Sequence, residues 1–218
     1  DLFGLPANFP KIKRLAENYG LKLIEDAAQG FGGEIEGKKA GSFGDIGTTS
    51  FFPAKPLGCY GDGGALFTDN DNYAELLNSL RAHGKGSDKY DNIRIGINSR
   101  LDTIQAAILI EKLAEFPNEL SARNLFAERY NEKLQGRFQT PKVPQGYKSS
   151  WAQYTVKCHD RDAGIAEFQS KGIPTAVYYK KCMHQQTAFR MLNYSDQHLP
   201  VASALSETVL SLPMHPYL

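Results

Sequence analysis

"TTSFFPAKPLGCYGDGG", residues 48–64, sets a lysine among glycines, prolines and aromatics. The β-branched and aromatic residues ahead of Lys55 read as a strand, and Gly58, Gly61, Gly63 and Gly64 behind it read as a loop. A lysine placed there is either an ordinary loop residue with its charge in water or an amine held at the mouth of a crevice. The flanking sequence decides between the two.

Upstream, residues 8–19 carry Phe9, Ile12, Leu15, Ala16 and Tyr19 near helical spacing, with Asn8 as N-cap, Pro10 in the first turn and Gly20 as the stop. "LKLIED" follows as a short buried strand whose carboxyl end delivers Asp26, so the order is alternating α/β. "IGTTSFF" runs up to Lys55, and "GALFTD" precedes a predicted helix, "DNDNYAELLNSLRAHG", with its stop at Gly84. Three short strands thus surround one loop. From Asp102 the pattern predicts two long helical stretches, interrupted around Pro117 and ended by Gly136, packing as a bent pair. "PKVPQGYKSS" reads as a polar linker. Beyond it "WAQYTVKC", "DRDAGIAEFQSKG" and "PTAVYY" predict strand, helix and strand of a second, smaller α/β unit.

The 218 residues, 41% of them hydrophobic, can bury one substantial core and a smaller one. No apolar run approaches the roughly 20 residues of a membrane helix, and no signal-peptide pattern opens the chain, so the expected location is cytoplasmic. Lys and Arg number 25 against 24 Asp and Glu, which gives no global field for nucleic acid. Cys59, Cys158 and Cys182 are odd in number and lack metal-ligand spacing, so reduced, packing thiols are expected and no metal site. The sequence opens at Asp1 without a methionine, as though a strand had just ended, and stops in the Pro-rich "SLPMHPYL". It is expected to be truncated at both ends.

In an open α/β sheet ligands gather at the carboxyl ends of strands, where Asp26 and Lys55 both fall. A plain salt bridge would account for such a pair. "EDAAQ" together with "TSFFPAK" offers more: an amine to form a Schiff base, a carboxylate for a pyridine nitrogen and small polar groups for a phosphate. Here the chain resembles the DegT/DnrJ/EryC1/StrS family of pyridoxal-phosphate (PLP)-dependent nucleotide-sugar aminotransferases. The resemblance runs through "DLFGLPANF", "EDAAQGFGG", "TSFFPAKPLGCYGDGGALFT", "LRAHG", "IGINSRLDTIQAAIL", "GIPTAVYY" and "SLPMHPYL", in order and over essentially the whole chain.

The resemblance implies an α/β fold of the PLP-dependent transferase fold type I (aspartate aminotransferase-like). Residues 1–136 would be part of the large cofactor domain with its interdomain helices, and 137–218 the small C-terminal domain. It implies that Lys55 is the Schiff-base lysine, that Asp26 faces the pyridine nitrogen, Gln29 the ring hydroxyl, and that Ser50 binds the phosphate. Asn98 and Arg100 in "GINSR" match positions that reach into a neighbouring subunit, at phosphate and substrate respectively, which implies a homodimer with shared active sites. Tyr178, Tyr179 and His184 match the sugar-nucleotide segment, although "YYKKCMHQQ" departs from its usual apolar, proline-rich run. His83 in "RAHG" is implied to be structural. "GCYGDGG" is expected to allow either close backbone approach or positive φ.

The subtype resembles the UDP-sugar 3-aminotransferases, with L-glutamate as donor, PLP/PMP as cofactor and a UDP-2-acetamido-2-deoxy-3-keto-hexuronic acid as acceptor, for surface polysaccharide. The rival readings are C4 amination of a 4-keto-6-deoxy nucleotide sugar, a sugar dehydratase in which histidine replaces the lysine, against which Lys55 argues directly, and an inactive fragment or non-enzymatic binding protein of the same fold.

Overall fold

The computed structural model describes residues 1–88 and 90–218. Helix α1 (Phe9–Asn18) starts where the Asn8 side chain accepts the Lys11 N–H at 3.2 Å, with Pro10 in the first turn. The chain turns at Gly20, in the left-handed region at φ 62°, and enters β1 (Ile24–Asp26). Two two-residue strands, β2 (Glu34–Ile35) and β3 (Lys38–Lys39), precede β4 (Ile46–Ser50) and β5 (Gly64–Phe67).

The strands expected around the lysine loop form one sheet in the order β1-β4-β5. β4 runs parallel to β1, with Asp26 opposite Thr48, and antiparallel to β5, with Ser50 opposite Gly64. A side chain on Gly64 would meet the Thr49 carbonyl at 2.7 Å, which explains one glycine of the loop by close backbone approach.

Helix α2 (Asp71–Leu80) is capped by Asn70 and ends a turn earlier than the expected stop at Gly84. His83 and Gly84 have φ of 64° and 75°, and the chain turns into a bridge between Ala82 and Asn98. The bent pair of helices is overturned: α3 runs unbroken over Thr103–Leu134 with Pro117 inside it. Proline forfeits one helical hydrogen bond. Phe116 on one side of it is buried, Leu120 on the other packs against the same core, and this shared anchorage keeps the helix continuous.

That core joins Leu109 and Phe116 of α3 to Phe51, Leu57 and Cys59. Phe31 closes it, with ring centroids 5.6 Å from Phe116 and 6.3 Å from Phe51. "PKVPQGYKSS" is no plain linker. It contains β6 (Tyr147–Lys148), which pairs with β2 in a second sheet ordered β3-β2-β6. Ser149 and Ser150 behind it are buried, and the Ser150 hydroxyl contacts the Gln29 carbonyl at 2.9 Å and the Gly4 carbonyl at 3.3 Å.

The chain divides into two compact units, Asp1–Ala122 with Val143–Ala152, and Arg123–Lys142 with Gln153–Leu218. The second is built on β7 (Tyr154–Lys157), α4 (Arg161–Ser170), capped by Asp160, then α5 (Pro200–Thr208) and β8 (Val209–Leu212). β7 and β8 pair antiparallel, burying Tyr154, Val156, Leu210 and Leu212. The expected strand "PTAVYY" shrinks to a single bridge, Ala176 to Ser211, and toward its start Pro174 has no N–H to extend a ladder. β8 takes that place beside β7 with residues from the closing segment, which had read only as a connection. No helix among the described residues is long and apolar enough to cross a membrane.

Candidate functional site

Register and pleat sort the polar residues of the first sheet onto two faces. Asp26 lies opposite Thr48 on the parallel neighbour, so the two share a face, and Ser50, two residues on, shares it as well. Glu25 therefore points the other way, with Gly47 and Thr49, and all three are buried. Asp26 is exposed, and its Oδ1 accepts the Ala28 N–H at 3.0 Å. The Ser50 hydroxyl accepts the Phe52 N–H at 3.2 Å and remains able to donate.

Lys55 follows in a turn closed by its own N–H to the Phe52 carbonyl at 2.9 Å. It is half-buried, and the four residues after it, Pro56 to Cys59, are buried. The loop is pinned from inside by the Cys59 N–H and thiol, both donating to the Phe51 carbonyl, at 2.8 and 3.0 Å. From outside, Gln105 of α3 accepts the Tyr60 N–H at 2.8 Å. The Lys55 ammonium forms no ion pair and no side-chain hydrogen bond among the described residues. The plain salt bridge with Asp26 is therefore not what the sheet builds.

Gln29 stands one turn beyond β1, half-buried, with its side-chain oxygen accepting the Phe3 N–H at 2.6 Å and its carbonyl accepting from Ser150. Asn98 and Arg100 are exposed and bonded to each other, Arg100 Nε donating to Asn98 Oδ1 at 2.9 Å. They border a hollow of about 1030 Å³ beside β4 and β5, lined also by Thr48, Thr49, Gly63 and Gly64. Asp26, Gln29, Ser50 and Lys55 do not line it, although Thr48, the sheet neighbour of Asp26, does.

In the second unit Tyr178 and Tyr179 are exposed and meet edge to face, centroids 5.5 Å apart. The side chain of His184 is only 5% accessible: its Nε2 lies 2.9 Å from Asp196 Oδ1 and 3.3 Å from the Ser203 hydroxyl. Hydrogen bonds from His184, Ser203 and Gln185 hold the Asp196 carboxyl below the usual carboxylate range. His83, in left-handed backbone, donates its N–H to the Ile97 carbonyl at 2.9 Å.

Sequence reasoning missed Glu25 and Gln105. Gln105 carried no signal beyond its place on a helix, whereas Glu25 was visible as one of two consecutive acids on a strand, one of which must face inward.

The sequence pattern of the DegT/DnrJ/EryC1/StrS aminotransferase family matches residues 1–218. The chain belongs to that family. Among DegT/DnrJ/EryC1/StrS relatives it is 43% identical to the UDP-2-acetamido-2-deoxy-3-oxo-D-glucuronate aminotransferase of Pseudomonas aeruginosa, over 100% of this chain and 60% of that protein. It is 44% identical to the UDP-N-acetyl-3-dehydro-alpha-D-glucosamine 3-aminotransferase of Acidithiobacillus ferrooxidans, over 100% and 58%. A crystal structure of a DegT/DnrJ/EryC1/StrS aminotransferase from Brucella abortus superposes with a TM-score of 0.96 at 53% identity, covering 100% of this chain and 58% of that one. The chain thus spans about three-fifths of the length of the curated relatives it matches. Its fold is that of the PLP-dependent transferases of fold type I. The DegT/DnrJ/EryC1/StrS family is PLP-dependent, and the residues present offer the donor set that cofactor requires: an unpaired amine at Lys55, and an exposed carboxylate and a hydroxyl on one sheet face.

Proposed function

We propose that the chain serves PLP-dependent transamination, moving the amino group of L-glutamate onto C3 of a UDP-linked 2-acetamido-3-keto sugar, first of all the hexuronic acid, for surface polysaccharide. The observation that carries this reading is the parallel pairing of β1 with β4, which sets Asp26 and Ser50 on one face, with Lys55 in the turn that follows β4 and its ammonium in no ion pair among the described residues. The C3 position is supported by the names of the two curated relatives, a 3-oxo-glucuronate and a 3-dehydro-glucosamine aminotransferase.

PLP, when bound, supplies the electron sink that lets an amino group be exchanged for a keto oxygen. Lys55 Nζ would hold the cofactor and would serve as the base for the donor's Cα proton. The Asp26 carboxylate would keep the ring nitrogen protonated, Gln29 would meet the ring hydroxyl, and the Ser50 hydroxyl would donate to the phosphate. Glutamate leaves as 2-oxoglutarate and the keto-sugar as the amino-sugar. Asn98 and Arg100 act in a second copy of the chain, at its phosphate and at the acidic group of its substrate, so the working form is a homodimer. Tyr178 and Tyr179 flank the nucleotide sugar, and His184 holds the segment beside them. On this reading the first unit is part of the cofactor domain, the second is the small domain, and the reaction is cytoplasmic.

A visible absorbance band should form when PLP is added to the purified chain and bleach with L-glutamate, and Lys55→Ala should abolish it. A band that survives Lys55→Ala overturns the assignment of the amine. Mass spectrometry after incubation with 3-keto and 4-keto UDP-sugars separates C3 from C4 amination.

A further inference from the structure

Glu25 is fully buried, yet it forms no ion pair among the described residues. Both of its carboxyl oxygens are used instead on one short loop: Oε1 accepts the Gly41 N–H and Oε2 the Phe43 N–H, each at 2.6 Å. That loop is itself anchored. Phe43 stacks on Phe9 with centroids 4.9 Å apart and shares a buried cluster with Ile35. Gly47 of β4 completes the arrangement, because a Cβ there would lie 1.9 Å from the Gly41 carbonyl oxygen. The two amides are thus fixed points, and Glu25 ties the three-residue strand β1 to them from below.

We infer that Glu25 is a positioning residue for Asp26: its grip on the Gly41 and Phe43 amides fixes the carboxyl end of β1, and so sets the direction of the next side chain on the opposite face. This rests on the transamination reading for its purpose but not for its geometry. β1 is an edge strand, laddered on one side only to β4, whose Thr48 and Thr49 hydroxyls also donate to the Glu25 and Ala27 carbonyls at 3.2 Å, so among the described residues no strand on its outer side fixes the direction of its side chains. A carboxyl that accepts two backbone donors at once supplies what is lacking, and a carboxamide cannot, since its NH₂ would face an N–H.

The Ala28 N–H, bonded to Asp26 Oδ1, reports where the Asp26 carboxyl sits. In the ligand-free chain, Glu25→Gln should speed amide hydrogen exchange, followed by NMR, about tenfold at Gly41, at Phe43 and also at Ala28. Glu25→Asp, which keeps the charge and draws both oxygens back, should act in the same direction and serves if the glutamine variant fails to fold. Loosening at Gly41 and Phe43 with Ala28 unchanged would make Glu25 a loop anchor only and overturn the inference. Titration with PLP gives the second readout. Glu25→Gln should raise the Kd about tenfold and add nothing on an Asp26→Asn background, whereas effects that multiply overturn the coupling. If the unaltered chain takes up no PLP, the transamination reading fails, while exchange at Ala28 still decides this one.

Discussion

Glu34 carries a pH signature of its own. It is buried on β2 between Lys39 of β3 and Lys148 of β6, whose Nζ lies 3.1 Å away. Lys39 first, then Lys148, holds its carboxyl below the ordinary glutamate range against the opposing pull of burial. A carboxyl depressed in the folded state stabilises fully above its unfolded pKa, and that contribution is lost as the pH falls through the folded value. Glu34→Gln should therefore cost about 1 kcal/mol at neutral pH and nothing in strong acid, read as convergence of the two denaturation midpoints below the ordinary glutamate range. Parallel curves would show that the pair contributes nothing. This residue and Glu25 mark the limit of reading single positions from sequence. Lys55 and Asp26 stood out because their chemistry is legible from type and place, but the acid that must face inward is chosen by strand register, which no single residue encodes.

Elements were legible where a local signal belonged to them. Asn8 and Asp160 cap α1 and α4 as their sequences announce, and the runs before and after Lys55 became β4 and β5. The strands β2, β3 and β6 have two residues each, too few for any periodicity, and exist because Glu34 and buried Ser150 draw distant segments together. At Pro117 the local signal was outweighed. Phe116 and Leu120 hold α3 to the core on both sides, and the Ser121 hydroxyl donates to the Pro117 carbonyl at 3.0 Å. The proline's cost then remains within a continuous helix. Pro117→Ala restores the missing N–H for the Leu113 carbonyl and should raise stability by about 1–3 kcal/mol, seen as a higher thermal midpoint. An unchanged or lower midpoint would mean that the helix already bends to suit the ring.

Across the whole molecule, the family and the fold were legible because several motifs recur in order, whereas the proposed homodimer can be argued only from what the described residues leave uncovered. Ile93, Ile95 and Ile97 are 55%, 98% and 65% exposed, at every second position of the stretch that leads into Asn98 and Arg100. Three isoleucines in water beside two polar residues assigned to a neighbour's site form the kind of apolar centre and polar rim that protein interfaces share. If the shared-site homodimer is correct, burying a charge there opposes it, since Ile95→Asp would desolvate a carboxylate without a partner. The variant should sediment as a monomer and bind PLP more weakly than the unaltered chain, while its far-ultraviolet circular dichroism stays the same because Ile95 touches none of the folded core. A variant that remains dimeric would show that these isoleucines face something other than a second copy, and the roles given to Asn98 and Arg100 would fall with it.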